Sequence, residues 1–173
     1  MYNKNKEGQK SKFDKVIIFR IEKKLYGLEI TDVQGIEPLP EITGLGLPNV
    51  PDYIAGIFNL RGEVVPLIDA RKKLTIKTKD DEDKSLKRVL IIEIEQGKVG
   101  IIVDEVREIY EFTDEDIYPL PKGIGGLKCD FVKGIGKMDE KLIIILDINV
   151  FITSEGKFDL DFMEDLEDYL NEK

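Results

Sequence analysis

The chain has 173 residues, a formal net charge of −9, one cysteine and no histidine. This composition rules out histidine-based proton transfer and a Cys/His zinc site, and the acidity opposes nucleic acid and anionic membrane surfaces as partners. The length suits one domain, or two small units that complete each other's core.

The first half of the chain predicts an arm followed by two hairpins. Residues 1–12 are polar and indicate a disordered N-terminal arm. A run rich in Val, Ile and Phe begins at about Phe13 and, with the run from Tyr26 to Ile30, predicts a β-hairpin. Residues 53–69 predict a second hairpin, with Arg61-Gly62 near its tip.

The segment between these hairpins is irregular. Ile30, Val33 and Ile36 are spaced three apart, which suits either a helical turn or a bulged strand, and the sequence alone does not choose. Residues 38–52 contain four prolines and two glycines and predict a structured loop without regular pairing.

The second half of the chain repeats the first. Residues 53–69 reappear in outline 78 positions later as residues 131–147. Residues 13–39 align without gaps with residues 86–112, 73 positions later, with seven identities in 27 positions. Self-similarity of this kind marks an internal repeat, and short strands at regular spacing predict small antiparallel barrels. A seam between two similar halves is a place to bind a partner.

The repeat also sets the expected domain boundaries. Residues of about 13–74 and 86–152 predict two barrel units, and the sequence leaves open whether they exchange strands. Residues 75–85 form a charged connector, whose four adjacent acids lack the alternating ligands and the glycine of a hard-cation loop. Residues 153–173 predict an acidic C-terminal helix, because apolar residues recur there every fourth position.

No combination of residues predicts catalysis. The three serines have no base beside them in sequence, and the paired acids Asp104-Glu105 and Asp139-Glu140 would point to opposite faces of a strand. We therefore expect no enzyme, no cofactor, no metal and no small-molecule substrate, but a recognition function. One alternative is a small barrel that binds single-stranded nucleic acid, which would need a basic groove with stacking aromatic side chains.

The hairpin tips distinguish the two copies. Arg61-Gly62 in the first copy is replaced by Asp139-Glu140 in the second, and Pro66 is replaced by Ile144. If the fold required arginine at the tip, the second copy would need one too, so Arg61 is a candidate functional residue; the alternative is an exposed arginine with no partner. Pro66 lacks an amide hydrogen, which predicts a sheet edge or a bulge that another chain can approach.

Several motifs resemble those of the CheW family of chemotaxis coupling proteins. The resemblance covers roughly Phe13 to Ile152 and rests on these runs: Tyr26-Gly-Leu-Glu-Ile, Val33-x-x-Ile36, Asn59-Leu-Arg-Gly-x-Val-x-Pro66 and Val99-Gly-Ile-Ile-Val-Asp104. It implies an all-β fold of two SH3-like five-stranded barrels around a shared apolar core, with short helices. It also implies a cytoplasmic adaptor that joins the tips of methyl-accepting chemoreceptors to the histidine kinase CheA, at the inner face of the membrane through receptor arrays.

The resemblance further implies which residues bind each partner. Receptor tips would lie along an apolar groove between the barrels, formed by Ile17, Ile30, Val33, Ile36, Ile94 and Val106, with Arg61 contributing. The regulatory domain of the kinase would contact Gly56, Asn59, Arg61 and Gly62. Gly35 departs from the family pattern, in which relatives often carry an acid at this position. For Ile30, Val33 and Ile36, the alternative is ordinary core.

Overall fold

The computed structural model of the protein describes residues 15–76, 83–120 and 130–154. The strands are β1 (Val16–Ile21), β2 (Lys24–Glu29), β3 (Val33–Pro38), β4 (Ile54–Leu60), β5 (Glu63–Asp69), β6 (Arg88–Ile94), β7 (Gly97–Val103), β8 (Glu105–Tyr110), β9 (Ile117–Tyr118), β10 (Val132–Met138) and β11 (Lys141–Leu146). The α-helices are α1 (Ala70–Lys73) and α2 (Ile148–Thr153). The predicted arm, the middle of the connector and nearly all of the predicted C-terminal helix lie outside the described residues.

The strands form two sheets that each draw on both repeat units. A six-stranded sheet has the order β8-β1-β2-β11-β10-β9, and a five-stranded sheet has the order β3-β6-β7-β5-β4. Parallel ladders between β2 and β11 and between β5 and β7 join strands from different units. Residues 13–74 and 86–152 are therefore not one barrel each. The five-stranded sheet is the continuous stretch from β3 to β7, inserted between β2 and β8 of the other sheet.

The internal repeat is visible in the register of the ladders. In the β3–β6 ladder Val33 pairs with Ile92 and Gly35 with Ile91, which leaves Gln34 as a bulge. The β1–β8 ladder skips Arg107, 73 positions later, in the same way. The spacing of Ile30, Val33 and Ile36 thus reflects both structures that it suits, a 3-10 turn at Ile30–Asp32 and then a bulged strand.

Each sheet closes on itself into a barrel-like unit. After β3, Thr43 and Ile57 exchange backbone hydrogen bonds of 3.0 and 2.9 Å, which joins the β3 and β4 sides of the five-stranded sheet. In the six-stranded sheet Tyr118 of β9 pairs with Ile135 of β10, the residue 78 positions after Ile57. The two-residue strand β9 is why this sheet has six strands where the resemblance implies five.

Three apolar cores hold the molecule together, as the resemblance implies. One fills the six-stranded barrel and another fills the five-stranded barrel. The third, the inter-barrel core, takes side chains from both sheets and from α1 and α2. Its members include Phe19, Tyr26, Leu90, Ile101 and Phe131. The prediction of an all-β, double-barrel fold is confirmed. No helix within the described ranges is long and apolar enough to cross a membrane.

Candidate functional site

The predicted groove residues of the first copy lie on β3. Val33 pairs with Ile92 and Ile36 pairs with Leu90, and both partners belong to the inter-barrel core. Directly opposite residues share a face, so the bulge turns Val33 and Ile36 toward the same inter-barrel side. Val33 is half-buried against this core, whereas Ile36 is 44% exposed. Ile36 therefore exposes more apolar surface to solvent than Val33 does.

The equivalent apolar edge of the second copy lies on β8. Val106 pairs with Phe19 and packs on the inter-barrel core, and Ile109 pairs with Ile17 and is 55% exposed. Sequence reasoning named Val106 but missed Ile109. The repeat itself could have found it, because Ile109 follows Ile36 by the same 73 positions that separate Val33 and Val106.

The other predicted groove residues differ in accessibility. Ile94 is half-buried and packs on the inter-barrel core, and Ile30 is half-buried in the 3-10 turn where the chain passes from β2 to β3. Ile17 is only 3% exposed and belongs to the buried apolar core, in a strand that lies between β2 and β8. Ile17 thus supports the groove from within the core, with almost no surface to offer a partner.

Arg61 stands at the β4–β5 tip in a left-handed backbone conformation, with φ of 49°. The next residue, Gly62, has φ of 89°, and its N–H donates to Asn59 Oδ1 over 2.8 Å, which fixes the turn. The Arg61 side chain is 85% exposed, and its Nη2 atom lies 3.6 Å from Glu37 Oε1. Arg61 is thus not an arginine without a partner: it reaches the residue beside Ile36 on β3.

Gly56 has a packing role in the barrel. A Cβ atom built on it would lie 2.3 Å from the carbonyl oxygen of Thr43, and its φ is 148°. Because the Thr43–Ile57 bridge closes the five-stranded sheet at this point, a side chain at position 56 would push the closure apart. The predicted kinase contact at Gly56 is therefore also a position where the fold tolerates no side chain.

An open cleft of about 440 Å³ lies between the start of β5 and the β6–β7 turn. The parallel β5–β7 ladder begins only at Leu67, one residue after Pro66, whereas the β11–β2 ladder includes Ile144, the equivalent of Pro66. Pro66 lies in an inner strand, so the predicted sheet edge is wrong. Its missing N–H nevertheless coincides with an interruption of the ladder, and Val64, 70% exposed, lines the opening.

These surfaces combine apolar and charged side chains. The exposed groups are aliphatic side chains on two barrel edges and a guanidinium beside one of them. Across residues 15–76, 83–120 and 130–154, no group of three His, Cys, Asp or Glu side chains is arranged to hold a metal ion. Fold and surfaces together define a double-barrel domain of the scaffold class.

Comparison with known proteins agrees with this class. Residues 15–156 match the family model described as a CheW-like domain. The chain is 33% identical over 139 residues to the chemotaxis protein CheW of Klebsiella aerogenes, covering 80% of this chain and 81% of that protein. It is 32% identical over 143 residues to CheW of Bacillus subtilis, covering 83% and 89%.

A solved structure shows the same fold. The crystal structure of the scaffolding protein TtCheW from Thermoanaerobacter tengcongensis matches with a TM-score of 0.72 and 32% identity, over 91% of this chain and 97% of that one. The chain belongs to the CheW family of chemotaxis scaffold proteins, and the resemblance drawn from its motifs is confirmed.

Proposed function

We propose that the protein is a non-enzymatic adaptor that couples the tips of methyl-accepting chemoreceptors to the regulatory domain of the histidine kinase CheA. One observation carries the proposal: each barrel presents an exposed isoleucine, Ile36 or Ile109, at equivalent places on the edge strand that borders the shared core. The adaptor would act in the cytoplasm, at the inner face of the membrane through receptor arrays.

The groove suits a helical receptor tip. An amphipathic helix can lay apolar residues against Ile36 and Ile109 in the helix-in-groove mode. Each aliphatic side chain fully removed from water contributes about 1.5–3 kcal/mol, so a few such contacts suffice for micromolar binding after the cost of association. Repetition of weak contacts across an array would raise the overall avidity.

The kinase would contact the β4–β5 tip. Asn59, Arg61 and Gly62 form this exposed turn, and the cleft beside Val64 continues from it along β5. Arg61 also reaches Glu37, the neighbour of Ile36 on β3, so the proposed kinase contact lies near the strand that carries the proposed receptor contact. Glu37 and Ile36 point to opposite faces of that strand, because they are consecutive residues. Two separate surfaces of this kind would let both partners bind at once.

Binding of a purified receptor-tip fragment and of the kinase regulatory domain tests the proposal. Ile36→Asp is a sharper variant than Val33→Asp, because Val33 packs on the inter-barrel core and its substitution threatens the fold. We expect Ile36→Asp to weaken receptor-tip binding roughly tenfold and kinase binding less than twofold, since each lost aliphatic contact is worth about 1–2 kcal/mol. Leu86→Asp, at a residue 41% exposed but outside the groove, is the matched control.

Arg61→Glu tests the coupling itself. The side chain is 85% exposed, so reversal of its charge is expected to leave the thermal unfolding curve almost unchanged while receptor-dependent kinase activation is lost. A folded Arg61→Glu variant with normal activation would remove Arg61 from the site. Wild-type protein that binds neither partner would refute the adaptor function.

A further inference from the structure

The chain passes between the two sheets at two points in the described residues. It leaves the six-stranded sheet at the turn Ile30–Asp32 and returns to it at Asp104, between β7 and β8. Elsewhere the sheets meet mainly through the inter-barrel core, whose apolar packing is non-directional, together with the hydrogen bond that Lys73 Nζ donates to the Ser154 carbonyl. At the crossovers the chain itself joins the barrels, so a cluster of polar contacts there is well suited to fix the angle between them.

Asp104 is the centre of such a set of contacts. It is 1% exposed, and its N–H donates to the carbonyl of Arg20 in β1 over 3.0 Å. Its Oδ2 atom accepts a 2.6 Å hydrogen bond from the N–H of Glu22, in the β1–β2 turn. Arg71 lies in α1, which follows β5 of the five-stranded sheet, and its Nε atom lies 2.9 and 2.8 Å from the two carboxylate oxygens. One carboxylate thus joins elements of both barrels.

Arg71 adds a second link across the same junction. Its side chain is 4% exposed, and its Nη2 atom lies 3.1 Å from Glu22 Oε2. Arg71 belongs to α1, which begins directly after β5, and the Asp69 carboxylate accepts from the Arg71 N–H over 3.0 Å at the start of that helix. We call Glu22, Arg71 and Asp104 the inter-barrel latch.

The repeat shows that a barrel does not need the latch in order to form. The residues equivalent to Asp104, Glu22 and Arg71 are Thr31, Glu95 and Asn149, and all three are exposed. The crossover at Ile30–Asp32 does have an ion pair nearby, in which Lys133 Nζ lies 2.5 Å from Glu29 Oε2. Both residues of that pair belong to the six-stranded sheet, so it does not bridge the barrels.

A buried ion pair is weak evidence for stability, because desolvation of the two charges offsets much of their attraction. Its geometry, in contrast, is directional. β8 starts immediately after Asp104 and carries Val106 and Ile109, whereas Ile36 lies on β3 of the other sheet, so these two strands would be the walls of the proposed receptor groove. Any rotation permitted at Asp104 would move one wall relative to the other.

We infer that the inter-barrel latch sets the angle between the two barrels, and through it the width of the groove between Ile36 and Ile109. Asp104 and Arg71 are positioning residues for receptor binding. This inference rests on the proposed function for the receptor, but the angle between the barrels can be measured without any partner.

The test compares single and double variants. Asp104→Asn or Arg71→Met alone leaves a buried charge without its main partner, and each is expected to lower the thermal midpoint by roughly 10 °C. Arg71→Met/Asp104→Asn removes both charges and should recover most of that loss. The double variant therefore lacks the latch but keeps most of the stability, so a change in the angle between the barrels can be measured without partial unfolding.

Two readouts are taken on the stable double variant. Spin labels at two exposed sites, Glu95→Cys in the β6–β7 turn of the five-stranded barrel and Lys141→Cys on β11 of the six-stranded barrel, report the inter-barrel distance in a Cys129→Ser background. We expect a broadened distance distribution and receptor-tip binding roughly tenfold weaker, equivalent to about 1.4 kcal/mol. Glu108→Cys with Lys141→Cys, exposed sites on β8 and β11 of the six-stranded sheet, provides the control pair whose distribution should not change.

The outcomes separate this inference from the proposed function. An unchanged distribution in the double variant overturns the latch, and so does a broadened distribution with receptor affinity equal to wild type. If wild-type protein does not bind the receptor tip, the proposed function fails, and the distance distribution alone then decides whether the latch orients the barrels.

Discussion

Lys73 lies over the ring of Tyr53, with its Nζ atom 4.0 Å from the ring centroid, at the place where the second copy packs Phe151 against Phe131. Residues 53 and 131, like residues 73 and 151, are 78 positions apart. Lys73 is fully buried, and its Nζ donates to the Ser154 carbonyl over 2.6 Å. The first copy thus buries a cation where the second buries a phenyl ring.

Burial lowers the pKa of Lys73 below its ordinary value of 10.5. Because the folded protein holds this proton less tightly than the unfolded chain, its stability should rise with pH through the window between the lowered pKa and 10.5. In Lys73→Met the stability lacks this dependence on pH, because methionine does not titrate, and its side chain has a volume similar to that of lysine. We expect its free energy of unfolding at pH near 7 to lie within about 1 kcal/mol of wild type, since lost cation–π and hydrogen-bond energy offset relieved desolvation.

Urea unfolding at pH near 7 and near 10 measures this difference. The free energy of unfolding of wild type should rise relative to that of Lys73→Met as pH rises, because only wild type contains the buried ammonium. Phe151→Leu, at the equivalent position of the second copy, is the control and should be destabilised equally at both pH values. A wild-type advantage that shrinks with rising pH would contradict the depressed pKa.

Gly27 and Gly100 are equivalent positions of the repeat at which the packing leaves no room for a side chain. A Cβ atom on Gly27 would lie 2.4 Å from Val16 Cγ1, and one on Gly100 would lie 2.6 Å from both Val89 Cγ1 and Leu67 Cδ2. Either substitution to alanine should destabilise the protein by about 1–3 kcal/mol, because each overfills a barrel interior. Thermal or chemical denaturation measures the loss.

Double variants sharpen this prediction. Val16→Ala removes the atom nearest to the new Cβ, so Gly27→Ala/Val16→Ala should be less destabilised than the sum of the two single changes. Val89→Ala leaves the Leu67 side chain in place, so Gly100→Ala/Val89→Ala should recover a smaller part of the lost stability than the Gly27 pair does. Additive effects at Val16 would mean that the strands, and not the side chains, move to accept the methyl group.

The repeat allowed the fold class to be predicted, because matching apolar positions demand matching burial. It did not reveal that β2 pairs with β11 and β5 with β7. Parallel ladders join residues far apart in sequence, and no local turn residue records them. The boundaries of the two barrels therefore could not be placed from sequence. The strands of the hairpins could be predicted, whereas β3 was left open between a helical turn and a bulged strand, and β9 was not predicted.

The candidate site was likewise predicted only in part from the sequence. The family resemblance implied a groove that includes Ile17 and Ile36, but tertiary packing decides that Ile36 is exposed and Ile17 is buried. Likewise, the substitution of Arg61 by an acid in the second copy marked the hairpin tip, whereas the Glu37 contact depends on barrel closure. Side-chain exposure is a property of tertiary packing, which local pattern constrains only in part.

Glu105 offers a direct test of the charges next to the latch. Its pKa is held below the ordinary value of 4.5, chiefly by the hydrogen bond that Arg20 Nε donates over 3.1 Å, with Arg107 contributing less. Arg20→Gln should raise the Glu105 pKa toward 4.5, and Arg107→Gln should raise it by a smaller amount. NMR titration of the side-chain carboxyl carbon measures both.

The sign of the stability effect follows from the same shift. A carboxyl with a lowered folded pKa stabilises the protein above its unfolded pKa, and this contribution is lost as pH falls from about 4.5 through the folded value. The partly exposed pair should also weaken at high salt. A larger shift in Arg107→Gln than in Arg20→Gln would reverse the assigned order of the two arginines.

The β4–β5 tip predicts opposite results for two neighbouring substitutions. Arg61 has φ of 49°, where a residue with a Cβ is strained by roughly 1 kcal/mol, so Arg61→Gly relieves strain while adding a similar cost in unfolded-chain entropy. We expect its free energy of unfolding to stay within about 0.5 kcal/mol of wild type, since an exposed ion pair such as Arg61–Glu37 contributes little. Gly62→Ala, at φ of 89°, should instead lower the free energy of unfolding by about 1–2 kcal/mol.

Equilibrium denaturation compares the two variants, with Asp139→Gly as the matched control in the second copy, where φ is 55°. If Arg61→Gly were destabilised by more than 1 kcal/mol and Asp139→Gly were not, the Glu37 contact would be structural, and loss of coupling in an Arg61 variant could no longer be assigned to a missing partner contact.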